Sequence, residues 1–109
     1  MEDKIILNGL IEKLDKDFEI SDGLIEINDS GKYLEDIRKH LIEKIIEQME
    51  KNFERFLNTL YRIDLDETKL SEILATHAVA DIPEIIADMI IERQMQRVKT
   101  QLLYKQGKL

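Results

Sequence analysis

Several residue types that commonly identify a function are missing or rare in this sequence. It contains no cysteine and no tryptophan, and only one proline, four glycines, three phenylalanines and three tyrosines. Without cysteine there can be no disulfide, no thiolate nucleophile and no sulfur-ligated metal, and such composition is typical of reducing compartments. We therefore expect a cytoplasmic protein.

Long apolar runs are also missing. The most apolar stretch, residues 82–91, is interrupted by Pro83, Glu84 and Asp88, whereas a membrane-spanning helix needs about 20 apolar residues. The N-terminus carries acidic residues where a secretory signal needs basic ones. The sequence predicts neither a membrane segment nor an export signal.

Motifs of known chemistry are absent from the sequence. The glycines form no phosphate-binding loop, and there is no Gly-x-Ser-x-Gly elbow. A di-iron bundle needs a glutamate three residues before each histidine, but Ile37 and Leu74 occupy those positions before His40 and His77. We expect no enzyme and no cofactor. The alternative is a small metal-binding protein or enzyme that uses surface carboxylates and one histidine.

The length and the charge indicate a single domain, 1–109, with a divided surface. Of the 109 residues, 43% are hydrophobic and 36% are charged, and the net charge is -7. Residues 93–109 hold five basic residues and no acidic one, so the first 92 residues carry a net charge of -12. This distribution favours an acidic protein surface as a partner and makes nucleic acid an unlikely one.

The apolar spacing predicts an all-α fold of four helices, bundle-like, with two long helices. Helix 1 is expected from about Glu2 to Asp17, and helix 2 from after Asp29 or Ser30 to about Tyr61. The connection over residues 62–67 offers two N-cap choices, with Asp64 and Glu67 at capping-box spacing, and a short helix 3 follows to about His77. Helix 4 follows the Asp81-Ile82-Pro83-Glu84 start signal and continues to about Gln106, where Gly107 is expected to stop it.

The predicted helix 2 is longer than a compact domain of this size is wide. Nothing between residues 32 and 62 is glycine or proline, so the helix would be about 45 Å long, whereas a compact domain of this size is only about 34 Å across. The sequence therefore predicts an elongated fold or a helix that extends into a partner.

The segment between helices 1 and 2 loses the helical spacing. The apolar stretches at residues 18–20 and 24–27 flank Ser21-Asp22-Gly23, and Asn28-Asp29-Ser30-Gly31 follows. This pattern predicts either a short hairpin or an ordered loop.

The second half of the chain carries a family resemblance. The stretches Leu60-Tyr61-Arg62-Ile63-Asp64-Leu65-Asp66-Glu67, Asp81-Ile82-Pro83-Glu84 and Ile91-Glu92-Arg93-Gln94 resemble uncharacterised small helical proteins of Bacteroidetes-type bacteria. The resemblance implies no activity.

Helix 4 changes its apolar face along its length. At 100° per residue, one cluster on residues 82–90 faces one side, and a second cluster lies nearly opposite. The second cluster consists of Ile91, Met95, Val98 and Leu102, with Arg93 and Arg97 beside it.

Two interpretations of this second face remain open. On the first, helix 1 or residues 18–27 pack over the face, or the helix bends. On the second, the face is an interface, most simply that of a two-fold homodimer. On the second interpretation the chain is a non-enzymatic protein-interaction module. A nucleic-acid accessory protein that uses the basic end of helix 4 is an alternative, with Arg93, Arg97, Lys99 and Lys105 as contacts.

Overall fold

The computed structural model describes residues 2–20 and 30–107, and in this part of the chain it contains five α-helices and no strand. The helices are α1 (Glu2–Phe18), α2 (Ser30–Lys51), α3 (Phe53–Arg62), α4 (Glu67–Thr76) and α5 (Ile82–Lys105). The predicted all-α, bundle-like fold is confirmed. The predicted hairpin or loop falls mainly on residues 21–29, which lie outside the described residues.

The prediction of a single long helix from residue 30 to residue 61 is wrong, because the helix is interrupted at Asn52. This residue has an extended backbone (φ -160°, ψ 90°), and its side-chain oxygen accepts a hydrogen bond from the Arg55 backbone N–H, which caps α3. With α2 limited to 22 residues, or about 33 Å, the fold fits within 40 × 32 × 20 Å. Neither an elongated fold nor an overhanging helix is needed.

The core lies where α1, α2 and α5 pack against one another, with α3 packed on α2 and α4 on α5. Each helix contributes a stripe of apolar residues spaced three or four apart, as an amphipathic helix does. The most deeply buried of these are Leu10, Leu14, Phe18, Ile37, Leu41, Ile45, Phe56, Leu60, Ile86 and Ile90.

The close approach of α1 to α5 depends on Gly9. A Cβ atom at this position would lie 2.9 Å from Val98 Cγ1 and 3.4 Å from Cγ2, closer than two carbon atoms pack without strain. Two turns further along α1, Asp17 lines a groove together with Gln94, which precedes Val98 by one turn of α5, so the two helices run in opposite directions. The start of α1 and the end of α5 therefore lie at the same end of the molecule.

The turn between α3 and α4 is a Schellman motif with an aspartate at its left-handed position. Asp64 has φ +68°; its N–H donates to the Tyr61 carbonyl, and the Leu65 N–H donates to the Leu60 carbonyl at 3.3 Å. Leu60 and Leu65 are both buried, as the motif requires of its apolar pair. Four residues thus separate α3 from α4, and Asp66 caps α4 by accepting hydrogen bonds from the Thr68 and Lys69 N–H groups.

The predicted boundaries of the last helix agree with the structure. Asp81 occupies the N-cap position and proline stands in the first turn, although the Asp81 side chain makes no capping hydrogen bond. At the other end Gln106 is the C-cap, and Gly107 has φ +71°, a conformation that glycine adopts without steric cost.

Candidate functional site

The second apolar face of α5 is only partly free in the structure. Val98 is buried against Gly9 of α1, while Ile91 and Met95 are half-buried and pack against the core. Leu102, nearer the end of the helix, is also half-buried. At Val98 the first interpretation of this face is therefore correct, because helix 1 covers this residue.

The two arginines predicted beside this face, Arg93 and Arg97, have different neighbours in the structure. Arg93 Nη2 lies 3.1 Å from Asp64 Oδ2 in the turn between α3 and α4, and its buried Nε has no partner among the described residues. Arg97 instead donates through Nη1 to Gln94 Oε1 at 3.3 Å and borders a groove. Arg93 is therefore engaged with the turn between α3 and α4, whereas Arg97 is available to a ligand.

Several apolar side chains are exposed where α1 begins and α5 ends. Tyr104 is 75% exposed, Ile5 55% and Leu103 39%, and half-buried Leu102 lies beside them on α5. Because α1 and α5 run in opposite directions from the Gly9–Val98 contact, these side chains lie at one end of the molecule. We refer to Ile5, Leu102, Leu103 and Tyr104 as the end patch.

A groove of about 810 Å³ opens on another side of the molecule. Its walls are the second half of α1, the last turns of α2, most of α3 and the middle of α5. Seven basic side chains line it: Lys13, Lys16, Lys44, Lys51, Arg55, Arg62 and Arg97. Only three acidic side chains do so, namely Asp17, Glu19 and Glu47. The groove thus carries a net charge of +4 on a chain whose net charge is -7. We refer to it as the basic groove.

Two of the acidic side chains are already bound to basic ones. Asp17 Oδ1 lies 2.7 Å from Arg62 Nη2, and Glu47 lies 2.7 Å from Lys51 Nζ and 3.9 Å from Lys44 Nζ. Within the described part of the chain, Lys13, Lys16, Arg55 and Arg97 form no ion pair. Partial burial lowers the pKa of Lys13, and the nearby charges of Arg97 and Lys16 lower it further, while the charge of Glu12 opposes them.

A buried amide forms part of the groove wall. Gln94 is only 2% exposed, although it stands between Ile90 and Val98 in the stripe of α5 that faces the core. Its oxygen accepts from Arg97, whereas its nitrogen has no hydrogen-bond partner among the residues that the structure describes. Because Gln94 lines the groove, its unused N–H donor is available to a polar group there.

The histidines do not gather other metal ligands. His77 is exposed and lies within 3.1 Å of the Thr76 hydroxyl, and His40 Nδ1 lies 3.9 Å from Glu43 Oε2. In the described ranges no group of three or more histidine, aspartate or glutamate side chains is placed to hold a metal ion. Nor does any helix there have the length and apolar character needed to cross a membrane.

Sequence analysis identified Arg97 but missed the groove around it. The cations come from four helices, and the break at Asn52 turns α3 so that Arg55 borders the same groove as Lys13. One signal was available in the sequence. Gln94 interrupts an otherwise apolar i, i+4, i+8 series on the last helix, and a polar residue in a core stripe often marks a site.

Comparison of the chain with protein-family models, with curated protein sequences and with solved structures finds no match. The resemblance to small helical proteins of Bacteroidetes-type bacteria therefore stays a prediction. Any function has to be inferred from the surfaces of this chain alone.

Proposed function

We propose that this chain is a non-enzymatic protein-interaction module that forms a homodimer through the C-terminal half of α5. The observation that supports the proposal is the end patch, where Tyr104 and Ile5 are each more than half exposed. Clustered apolar side chains on a surface commonly mark an interaction site. Tyrosine is enriched at such sites because its ring is apolar and its hydroxyl remains hydrated.

A second copy is the partner that best fits the surroundings of the end patch. Lys99 and Lys105 flank it on α5, and the rest of the chain is strongly acidic. In a two-fold arrangement each α5 end packs against the other copy, so that its lysines face acidic surface of the partner. The charges then orient the two copies, while the apolar contact supplies most of the affinity. A cytoplasmic location stays a prediction from the cysteine-free sequence.

The proposal is tested by the solution mass, measured by light scattering during size-exclusion chromatography. The native chain is expected to elute as a dimer, and Tyr104→Glu with Leu103→Glu as a folded monomer, with helicity checked by circular dichroism. Val79→Glu is the matched control, because Val79 is 79% exposed but lies before α5, far along the chain from the end patch. A native chain that stays monomeric at high concentration would refute the proposal.

A further inference from the structure

We propose that the basic groove binds a small anion that carries two or more phosphate groups. The proposal concerns a different surface from the end patch and does not depend on dimerisation. It follows from three observations: the positions of the cations along their helices, the absence of an ion pair within the described residues for several of them, and the buried Gln94 amide.

The positions of three cations in the groove are not explained by helix stability. Lys16, Lys51 and Arg62 lie in the last turns of their helices, where the helix dipole favours basic residues whether or not a ligand binds. Arg55 lies in the first turn of α3, where the dipole disfavours a positive charge, and Lys13 and Arg97 lie in mid-helix. A bound anion would account for all three.

These cations form no ion pair within the described residues, although the charge of Glu12 acts on Lys13 and Glu19 lines the groove. The carboxylates of Asp17 and Glu47 are engaged by Arg62, Lys44 and Lys51. The charges of Lys13 and Arg97 lie close enough that each repels the other, and this repulsion contributes to the lowered pKa of Lys13. An anion between them would replace the repulsion with two attractions, as occurs at phosphate sites.

The Gln94 side chain adds a neutral donor at the base of the groove. Its oxygen accepts from Arg97 Nη1 at 3.3 Å, which orients the amide, and Gln94 lines the groove although the residue as a whole is only 2% exposed. A phosphate oxygen that accepts from the amide N–H group would also lie within reach of the Arg97 guanidinium. The pair thus provides two donors to one phosphate group.

The shape and lining of the groove favour a small phosphorylated molecule over a nucleic acid. Its volume of about 810 Å³ lies in the range of small-molecule sites. Phe18 and Phe56 line it but are each only 1% exposed, so neither offers a face on which a base could stack. Outside the groove, the acidic surface of the chain repels a long polyanion.

The test is calorimetric titration of the full chain with inorganic triphosphate at low ionic strength. We expect triphosphate to bind, with an affinity that falls steeply as salt is added. Either Arg55→Gln or Lys13→Gln should lower that affinity by about tenfold or more. Lys99→Gln is the matched control because Lys99 is an exposed base on α5 that does not line the groove. Its affinity is expected to remain within about twofold of the native value.

Two results would overturn the proposal. One is the absence of binding at millimolar triphosphate, and the other is an equal loss of affinity in Arg55→Gln and Lys99→Gln, which would indicate only a general effect of net charge. Titration with a single-stranded oligonucleotide without terminal phosphates distinguishes a site for a small phosphorylated molecule from a site for nucleic acid. If the oligonucleotide binds and triphosphate does not, the groove is a nucleic-acid surface and the small-molecule assignment is wrong. The Tyr104→Glu variant is expected to bind triphosphate normally, since the end patch is a separate surface.

Discussion

The contact between Gly9 and Val98 leads to a prediction in which two opposing effects can be weighed. In an isolated helix, Gly9→Ala should stabilise by about 1 kcal/mol, because alanine has the higher helix propensity. Here the new Cβ atom would lie 2.9 Å from Val98 Cγ1. Valine is held near one side-chain rotamer in a helix, so the clash must be relieved by movement of α1 away from α5.

The cost of the clash should exceed the gain in propensity. Overpacking in a core costs about 1–3 kcal/mol, so Gly9→Ala should lower the free energy of unfolding by about 1 kcal/mol net. For a domain of this length that corresponds to a fall in Tm of roughly 4–8 °C. The measurement is urea denaturation followed by circular dichroism, with thermal melts in parallel.

A double-mutant cycle identifies the cause. Val98→Ala alone should destabilise by about 2 kcal/mol through loss of buried apolar volume. In that background Gly9→Ala should stabilise by about 1 kcal/mol, because the clash is gone and the propensity gain remains. Glu12→Ala, on an exposed position of α1, serves as the control and should have the same effect in both backgrounds. If Gly9→Ala stabilises the native chain as much as the Val98→Ala variant, the close contact does not exist.

Three further predictions concern other parts of the fold. Asn52→Ala should lower the free energy of unfolding by about 1 kcal/mol, because the Arg55 N–H loses its cap acceptor; Asn52→Asp should restore it, and equal stability of all three chains in urea would contradict the cap. Leu41→Ala, at a fully buried position, should cost about 2–5 kcal/mol in the same assay, and a loss comparable to that of a surface substitution would place Leu41 outside the core. The pKa of Glu47 lies below its ordinary value because Lys51 Nζ donates to its carboxylate, so the stabilisation is present at neutral pH and lost as pH falls through that pKa. In Lys51→Gln the Glu47 pKa should rise, as followed by carbon NMR, and an unchanged titration would rule out the ion pair.

Much of the helical architecture could be predicted from local sequence signals. The apolar spacing gave the extent of α1, and proline near Asp81 together with Gly107 gave both ends of α5. These signals are reliable because proline and glycine restrict or free the backbone at the residue where they stand. The break in helix 2 lacked such a signal, since Asn52 resembles a surface helical residue until its side chain is seen to cap α3.

The arrangement of the helices in space could not be predicted from the sequence. The two apolar faces of α5 were recognised, but the periodicity of one helix does not say which neighbour covers each face. From the sequence alone, Gly9 only lowers the helix propensity of α1, whereas in the structure its lack of a side chain allows α1 to lie against Val98. The basic groove was missed for the same reason, because its cations are separated by up to 84 residues along the chain, from Lys13 to Arg97.

Asp64 both adopts the left-handed backbone conformation of the turn after α3 and provides a carboxylate to Arg93. Glycine would fit the left-handed backbone of the turn after α3 better, but glycine offers no carboxylate to Arg93. Displacement of α5 along its axis by one turn, about 5.4 Å, would separate that ion pair. The ion pair therefore connects the last helix to a residue that belongs to no helix.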